Sequence, residues 1–330
     1  MEFNQPKLYD FCINNKKNHE TLIKSSRLDS SVLERIENNK GLTFEDINKV
    51  CTLLKGNITE FINKTEKKEN GKFKVIELFA GAGGLALGLE DARGTLFYHY
   101  AVFLDKLQPK MFLFENVKGL KTHDKGRTYA TILDIFEKEG YVIQKDVLNA
   151  WDFGVPQKRE RLITIGIRKD LAKKIHFEFP TPKEYKPVLR DILLDCPVSE
   201  GASYSTYKKK IFEMVPPGGY WRDIPEDIAK EYMKSCWYME GGRTGILRRL
   251  SLDEPSLTVL TSPSQKQTDR CHPLEARPFT VRENARCQSF PDDWVFCGSI
   301  GQQYKQVGNA VPVNLAYEVG LKIKEGLEEI

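Results

Sequence analysis

Apolar residues at Leu22, Ile23, Leu28, Val32, Leu33, Ile36, Phe44, Ile47, Val50, Leu53, Leu54 and Ile58 recur at intervals of about three and four. Short polar turns interrupt them, which predicts a small bundle of four or five short helices over 1–64. The run KTEKKENGK that follows reads as a linker, 65–72. From Phe73 to about Lys169, apolar runs such as Val75-Ile76-Glu77-Leu78-Phe79 alternate with helical patterns, the signature of a parallel α/β sheet. An irregular stretch rich in Pro, Gly, Lys and Tyr comes next, and Val313 to Glu328 returns to helical spacing. No internal repeat is present.

Composition narrows the class. The 330 residues allow about two domains. With 40% hydrophobic residues and a mean hydropathy of −0.45, the chain is globular and neither disordered nor fibrous. No stretch approaches the ~20 apolar residues of a membrane span, and MEFNQPKLYD has no signal-peptide pattern, so a cytoplasmic protein without a membrane partner is expected. Seven cysteines with no CxxC pair indicate reduced thiols, with neither a disulfide framework nor a metal site. The net charge of +4 fits a nucleic-acid partner and many metabolic enzymes alike.

The stretch KVIELFAGAGGLALGLE carries the most chemistry. Gly81, Gly83 and Gly84 let the chain turn tightly after a buried strand and approach a ligand before a helix starts near Leu85, which implies a nucleoside cofactor. No Gly-Lys-Ser/Thr follows, so this is not a phosphate-binding P-loop. Gly81-x-Gly83-x-x-Ala86 formally satisfies the dinucleotide pattern, but its acidic partner, Asp105, falls in the helical stretch LFYHYAVFLDKLQ instead of at a strand end.

Two resemblances follow. TLIKSSRLDSSVLERIENNKGLTFEDINKVCTLLKGNITEFI resembles the Cro/repressor type of helix-turn-helix domain. It implies a helix from about Asp29 to Glu37 with Ser30, Ser31 and Arg35 towards DNA, dimerisation through this arm, and half-sites about one helical turn apart. The plainer alternative is a helical protein-contact module. Beyond the linker, FAGAGG, DARGTLF (Asp91–Phe97), PKMFLFENVKGL (Pro109–Leu120), GVPQKRERLITIGI (Gly154–Ile167), RPFTVRENARCQSFPDDW (Arg277–Trp294) and QVGNAVPVNLA (Gln306–Ala316) resemble, in order, the DNA (cytosine-5) methyltransferases.

That resemblance implies a Rossmann-like S-adenosylmethionine-dependent methyltransferase fold of the α/β class, with a shortened sheet, a small irregular target-recognition domain and the all-α N-terminal arm. The cofactor-binding domain begins at 73–177, the recognition domain spans 178–276, and 277–330 completes the catalytic domain. Phe79, Ala80, Gly81, Gly83, Gly84 and Leu85, with Asn309, Ala310 and Val311, are implied to hold S-adenosylmethionine. In the family a cysteine thiolate adds to C6 of a flipped cytosine while an acid protonates N3, and C5 then takes the methyl group. Glu115, at the tip of an apolar strand, matches the acid, its pKa raised by desolvation. Arg161 matches the arginine that contacts the base, with Gln157 and Arg159 supporting the loop. The bland reading makes Glu115 a helix-terminal acid and the arginines surface charges. Lys208, Lys209, Lys210, Arg243, Gln265, Lys266, Gln267 and Arg270 are the expected contacts to double-stranded DNA.

One block of the resemblance is missing. The nucleophile belongs in a Pro-Cys-Gln loop ahead of DARGT, yet the chain has no Pro-Cys dipeptide and joins Glu90 directly to Asp91. The acids for ribose and adenine go with it. Cys271 and Cys287 have nothing to place them beside Glu115. The sequence therefore predicts a cytosine-5 methyltransferase of a restriction-modification system, encoded beside a cognate endonuclease and inactive by itself, with an internal deletion favoured over a degenerate paralogue or a missing segment supplied by a partner. The runner-up is a helix-turn-helix autorepressor on a methyltransferase scaffold, and the weakest alternative is RNA cytosine methylation.

Overall fold

The structure is a computed structural model. It describes residues 95–330 except 242, 264, 266 and 267, together with Cys12, Leu22, Lys24, Leu28, 30–37, Val50, Leu53 and Leu54. The chain divides into two compact units, Met1–Leu78 and Phe79–Ile330. In the first, helix α1 (Ser30–Glu37) buries Val32 and Ile36 with Cys12, Leu22 and Val50, the i, i+4 spacing of a one-faced helix. Ser30 and Ser31 are exposed, as expected. Arg35 is half-buried, not projecting, and its Nε donates back to the Ser31 carbonyl at 3.2 Å.

The first described element of the second unit is α2 (Thr95–Leu107), which contains Asp105 and so removes it as a strand-end ribose ligand. Then come β1 (Met111–Val117), α3 (Arg127–Lys138), β2 (Tyr141–Asn149) and β3 (Glu160–Arg168). The sheet order is β1-β3-β2, and β3 pairs antiparallel with both neighbours. The expected parallel sheet is thus corrected for these three strands. The β1-α3-β2 segment is a crossover between two strands of the same direction, and β3 returns between them. Alternation of strand and helix reveals elements, whereas direction depends on which gap the next strand enters.

Register explains the layers. Phe112, Phe114 and Asn116 lie opposite Gly166, Thr164 and Leu162 on one face. There Phe112 and Phe114 meet Tyr100 of α2 and Phe136 of α3 at ring-centroid distances of 4.9–5.8 Å. Helix α3 contributes Tyr129, Ile132 and Phe136, spaced three and four apart. On the other face Ile163, Ile165 and Ile167 pack with Leu315 and Val319 of the terminal helix α8 (Val313–Glu328), which lies where the sequence predicted it. β3, covered on both sides, is therefore a nearly continuous apolar run. Gly166 is required here: a Cβ would fall 2.0 Å from the Phe112 ring. Gly166→Ala should lower stability by about 1–3 kcal/mol, the usual penalty for overpacking, seen as a shifted denaturant midpoint.

The stretch expected to be irregular contains helices α4 (Thr206–Met214) and α5 (Glu226–Met233) around its own core of Phe212, Val215, Trp221, Met233 and Leu247. Tyr, Lys and Gly obscured the short helical faces. Beyond it, α6 (Val281–Cys287) and α7 (Ile300–Asn309) bury Ala285, Cys287, Tyr304 and Val307 together. Thr280 and Glu283 close a reciprocal cap on α6, and Arg277 grips the Glu283 carboxylate with two 2.8 Å bonds. Burial raises the Glu283 pKa, but the Arg277 fork and the Thr280 amide outweigh it and leave it below the ordinary value of 4.5. Stability from this group is therefore complete above the unfolded value and lost as pH falls through the lowered folded one. Glu283→Gln should cost roughly 1.5–3 kcal/mol at neutral pH. The difference from the parent should shrink below about pH 4, as pH-dependent urea melts would record.

Candidate active site

Glu115 of β1 lies opposite Ile163, and Arg161 lies opposite Val117, so the two side chains are diagonal neighbours on one face of an antiparallel pair. Arg161 Nε meets Glu115 Oε1 at 2.9 Å, with the side chains 11% and 25% exposed. Burial pushes the Glu115 carboxyl above its ordinary pKa, and the charges of Arg161 and Arg159 recover only part of the shift. The acid thus keeps a proton to higher pH than a free carboxyl would. It does not terminate the strand: β1 continues through Asn116 to Val117.

Two residues earlier on β3's approach, Arg159 turns inward. Nη1 donates to the Val259 carbonyl at 3.2 Å, and Nη2 donates to Gly308 at 2.9 Å and Ala310 at 3.1 Å. These are the carbonyls on either side of Asn309, at the C-terminal end of α7, where a cation suits the unsatisfied acceptors. Burial, reinforced by Arg161, pushes the Arg159 pKa down to about 9. Gln157, fully buried, donates from Nε2 to the Cys287 carbonyl (3.0 Å) and to Gln288 Oε1 (2.9 Å), and its Oε1 accepts from the Val259 amide (2.8 Å).

Gln288 was not anticipated. Its Nε2 donates to the Val307 carbonyl at 2.8 Å and to Ala310 at 3.2 Å, so one amide joins the 157–161 segment to the turn after α7. Nothing in its spacing marks it, and only the fold brings residues 131 positions apart into contact.

The cysteines leave no substitute nucleophile among those with shifted thiols. Burial pushes the buried Cys271 and Cys287 up to about 12 and the half-buried Cys196 up to about 11. All three are protonated thiols at neutral pH, the reverse of what attack requires. Among the described residues, no cluster of His, Cys, Asp and Glu could hold a metal, and no helix is long and apolar enough to cross a membrane.

Of the expected DNA contacts, Lys208 instead pairs with the fully buried Asp269 at 2.6 Å and lies over the Tyr204 ring at 4.6 Å. Lys209, Lys210 and Gln265 are exposed. Arg243 is half-buried over Trp221 and donates to the Trp237 carbonyl, and Arg270 is half-buried. Lys266, Gln267 and the glycine loop Phe79–Leu85 lie outside the described residues, as does the Glu90–Asp91 junction.

Residues 87–325 match the C-5 cytosine-specific DNA methylase family. The chain belongs to that family. It is 48% identical to the Type II methyltransferase M.Sau96I of Staphylococcus aureus, over 82% of this chain and 80% of the relative. It is 52% identical to M.Eco47II of Escherichia coli, over 75% of this chain and 61% of the relative. The aligned stretch with the S. aureus protein, 345 positions, is longer than this entire 330-residue chain, so the relative has segments with no counterpart here. The crystal structure of a prophage-encoded E. coli protein, described as a DNA modification methyltransferase, superposes with a TM-score of 0.52 at 23% identity. It covers 72% of this chain and 75% of that one, a likeness of fold.

Methylases of this family use S-adenosylmethionine as methyl donor. The described half of the implied site fits such a ligand. Asn309 is half-buried with no hydrogen bond from its carboxamide among the described residues, on a turn whose flanking carbonyls Arg159 has taken up. An amide left free on a fixed turn suits a polar ligand.

Proposed function

We propose that this chain is the scaffold of a DNA cytosine-5 methyltransferase of a restriction-modification system, incomplete at its nucleophile. The Glu115–Arg161 pair carries the reading. A desolvated acid, oriented by an arginine from the adjacent strand, suits protonation of N3 of a flipped cytosine, with the guanidinium beside it to contact the base. Asn309, Ala310 and Val311, with Phe79–Leu85, would hold S-adenosylmethionine, which supplies the methyl group when bound. The missing Pro-Cys-Gln loop agrees with an alignment longer than the chain itself.

The test is to insert a segment carrying a Pro-Cys-Gln loop between Glu90 and Asp91, supply labelled S-adenosylmethionine and duplex DNA, and digest the product to nucleosides. Label in 5-methylcytosine supports the reading. A folded repaired protein that labels another base, or methylates only RNA, overturns it. The unrepaired chain should still bind S-adenosylmethionine. Loss of two hydrogen bonds to the ribose and adenine acids, each ~1.5–3 kcal/mol, should weaken its affinity by roughly two to four powers of ten, measurable by calorimetry against the repaired protein.

A second reading concerns the N-terminal unit. Helix α1 presents Ser30 and Ser31 while burying Val32 and Ile36, an arrangement that suits insertion into a major groove. This unit would act as a dimeric operator-binding arm limiting expression of its own operon, which would also encode the endonuclease. Footprinting of the promoter by the full chain should show two half-sites, and Ser31→Glu should abolish protection. A promoter left unprotected while the chain binds other DNA would remove this role.

A further inference from the structure

The carboxamide of Gln288 is fully buried at the C-terminal end of α6, with both donors and the acceptor oxygen engaged. Nε2 donates to two backbone carbonyls of one turn, Val307 at 2.8 Å and Ala310 at 3.2 Å, and Oε1 accepts from Gln157 Nε2 at 2.9 Å. The far end of the same turn is closed from the same place. The Val313 amide donates to the Gln288 carbonyl at 3.0 Å, and the Asn314 amide donates to Ser289 Oγ at 3.0 Å. Two adjacent residues thus bracket Asn309, Ala310 and Val311. Ser289 holds φ at +58°, a left-handed conformation that costs a residue with a side chain and persists only where its surroundings impose it. Its hydroxyl donates to the Gln288 carbonyl at 2.6 Å, which locks the pair further.

The other arm of the carboxamide reaches the segment that carries Arg161. Gln157 and Arg159 are buried while Lys158 and Glu160 are exposed, so alternate residues share one side of an extended stretch that runs on to Arg161. Asn314 adds a second tie, its Nδ2 donating to the Gly154 carbonyl at 2.8 Å. Stability alone does not call for an amide at position 288. Apolar groups of the same shape fill a buried site nearly as well once the polar partners are replaced with them. What the amide adds is a fixed relation between the Asn309 turn and the Arg161 strand.

We propose that Gln288 is a positioning residue of the methyltransferase site, holding the Asn309 turn and the Arg161 strand in one fixed relation through its carboxamide, while Ser289 holds the turn alone. This rests on the reading of that turn as the cofactor's and of Arg161 as the base's. Transfer of a methyl group needs donor and acceptor held to within about half an ångström of the productive geometry. A side chain that spans both sites governs that alignment without touching either reactant.

The test uses the full chain as it stands, with two readouts. Binding of S-adenosylmethionine is followed by calorimetry, and the Glu115 carboxyl is titrated by carbon NMR. Gln288→Met, which nearly keeps the volume and removes all three bonds, should weaken S-adenosylmethionine about tenfold or more. It should also move the Glu115 midpoint to higher pH, because a guanidinium drawn back from the carboxyl lowers it less. Ser289→Ala, which loses only the cap on the Asn314 amide, should weaken the cofactor and leave the Glu115 midpoint in place. Gly166→Ala, destabilising through the Phe112 ring and in contact with neither segment, should change neither readout. Gln157→Met breaks the same bond from its other end and should also weaken the cofactor, which decides the matter if Gln288→Met does not fold. A Gln288→Met protein that only loses stability, with cofactor affinity and Glu115 midpoint both at the parent values, overturns the proposal, as does full cofactor affinity in a folded Gln157→Met. A parent chain that binds no S-adenosylmethionine removes the cofactor reading of the turn instead. The Glu115 midpoint in Gln288→Met then decides by itself, a shift supporting the positioning role and the parent value overturning it.

Discussion

The chain as it stands should transfer no measurable methyl group to DNA. Without a thiolate at C6 the aromatic C5 carbon must attack unaided, and removing a nucleophile from a catalytic unit costs on the order of four to six powers of ten. Repair by a Pro-Cys-Gln segment between Glu90 and Asp91 should restore turnover. Glu115→Gln in the repaired protein should lower it again by roughly two to four powers of ten, the usual contribution of a positioned acid. The sign of the pH dependence follows from burial. Because the Glu115 pKa is raised, the protonated acid persists to higher pH than in a free carboxyl, and the rate should fall as pH rises through that value. The glutamine variant should lack this limb. Robust transfer of labelled methyl groups by the unrepaired chain would show that the nucleophile lies elsewhere, and Cys271 and Cys287 would be mutated first.

Arg159→Met should be the most destabilising single substitution near the site. It would leave the Val259 and Gly308 carbonyls without this donor and Ala310 with Gln288 alone. Each buried acceptor left unmade costs about 1–3 kcal/mol, so a loss of roughly 3–5 kcal/mol is expected. At about 2–4 °C per kcal/mol for a unit of this size, Tm should fall by roughly 10 °C or more. Binding of S-adenosylmethionine should weaken with it, because the Asn309 turn loses its clamp. A shift below 1 kcal/mol in calorimetric unfolding would mean that water or relaxation replaces the arginine, and that Arg159 is no keystone. Arg159→Lys should recover only part of the loss, since one ammonium cannot span three carbonyls with the fork's geometry.

Residues whose role depends on local pattern were legible early. The apolar run Met111–Phe114 before Glu115 already placed an acid on a strand, although the strand continues past it to Val117. The helix Val313–Glu328 was visible in its spacing, and Gln157, Arg159 and Arg161 stood out as an alternating series. The same reading failed where partners come from distant segments. Lys208 looked like a DNA contact within a basic run, yet Asp269, 61 residues on, holds it. Gln288 carried no signal because its value lies in Gln157, Val307 and Ala310, which only chain reversal assembles around it.

The sequence by itself determined the family and the order of the motifs, and it holds no Pro-Cys dipeptide. These are properties of covalent order and side-chain type, which folding does not alter. Tertiary structure decided that β3 enters antiparallel between β1 and β2, which sets Arg161 diagonally across from Glu115 at 2.9 Å. It also decided which of the basic side chains are engaged, as Asp269 and the Tyr204 ring engage Lys208. Strand direction, charge pairing and the shift of the Glu115 carboxyl all depend on burial and on contacts between residues far apart in the chain, and hydrophobic period records neither.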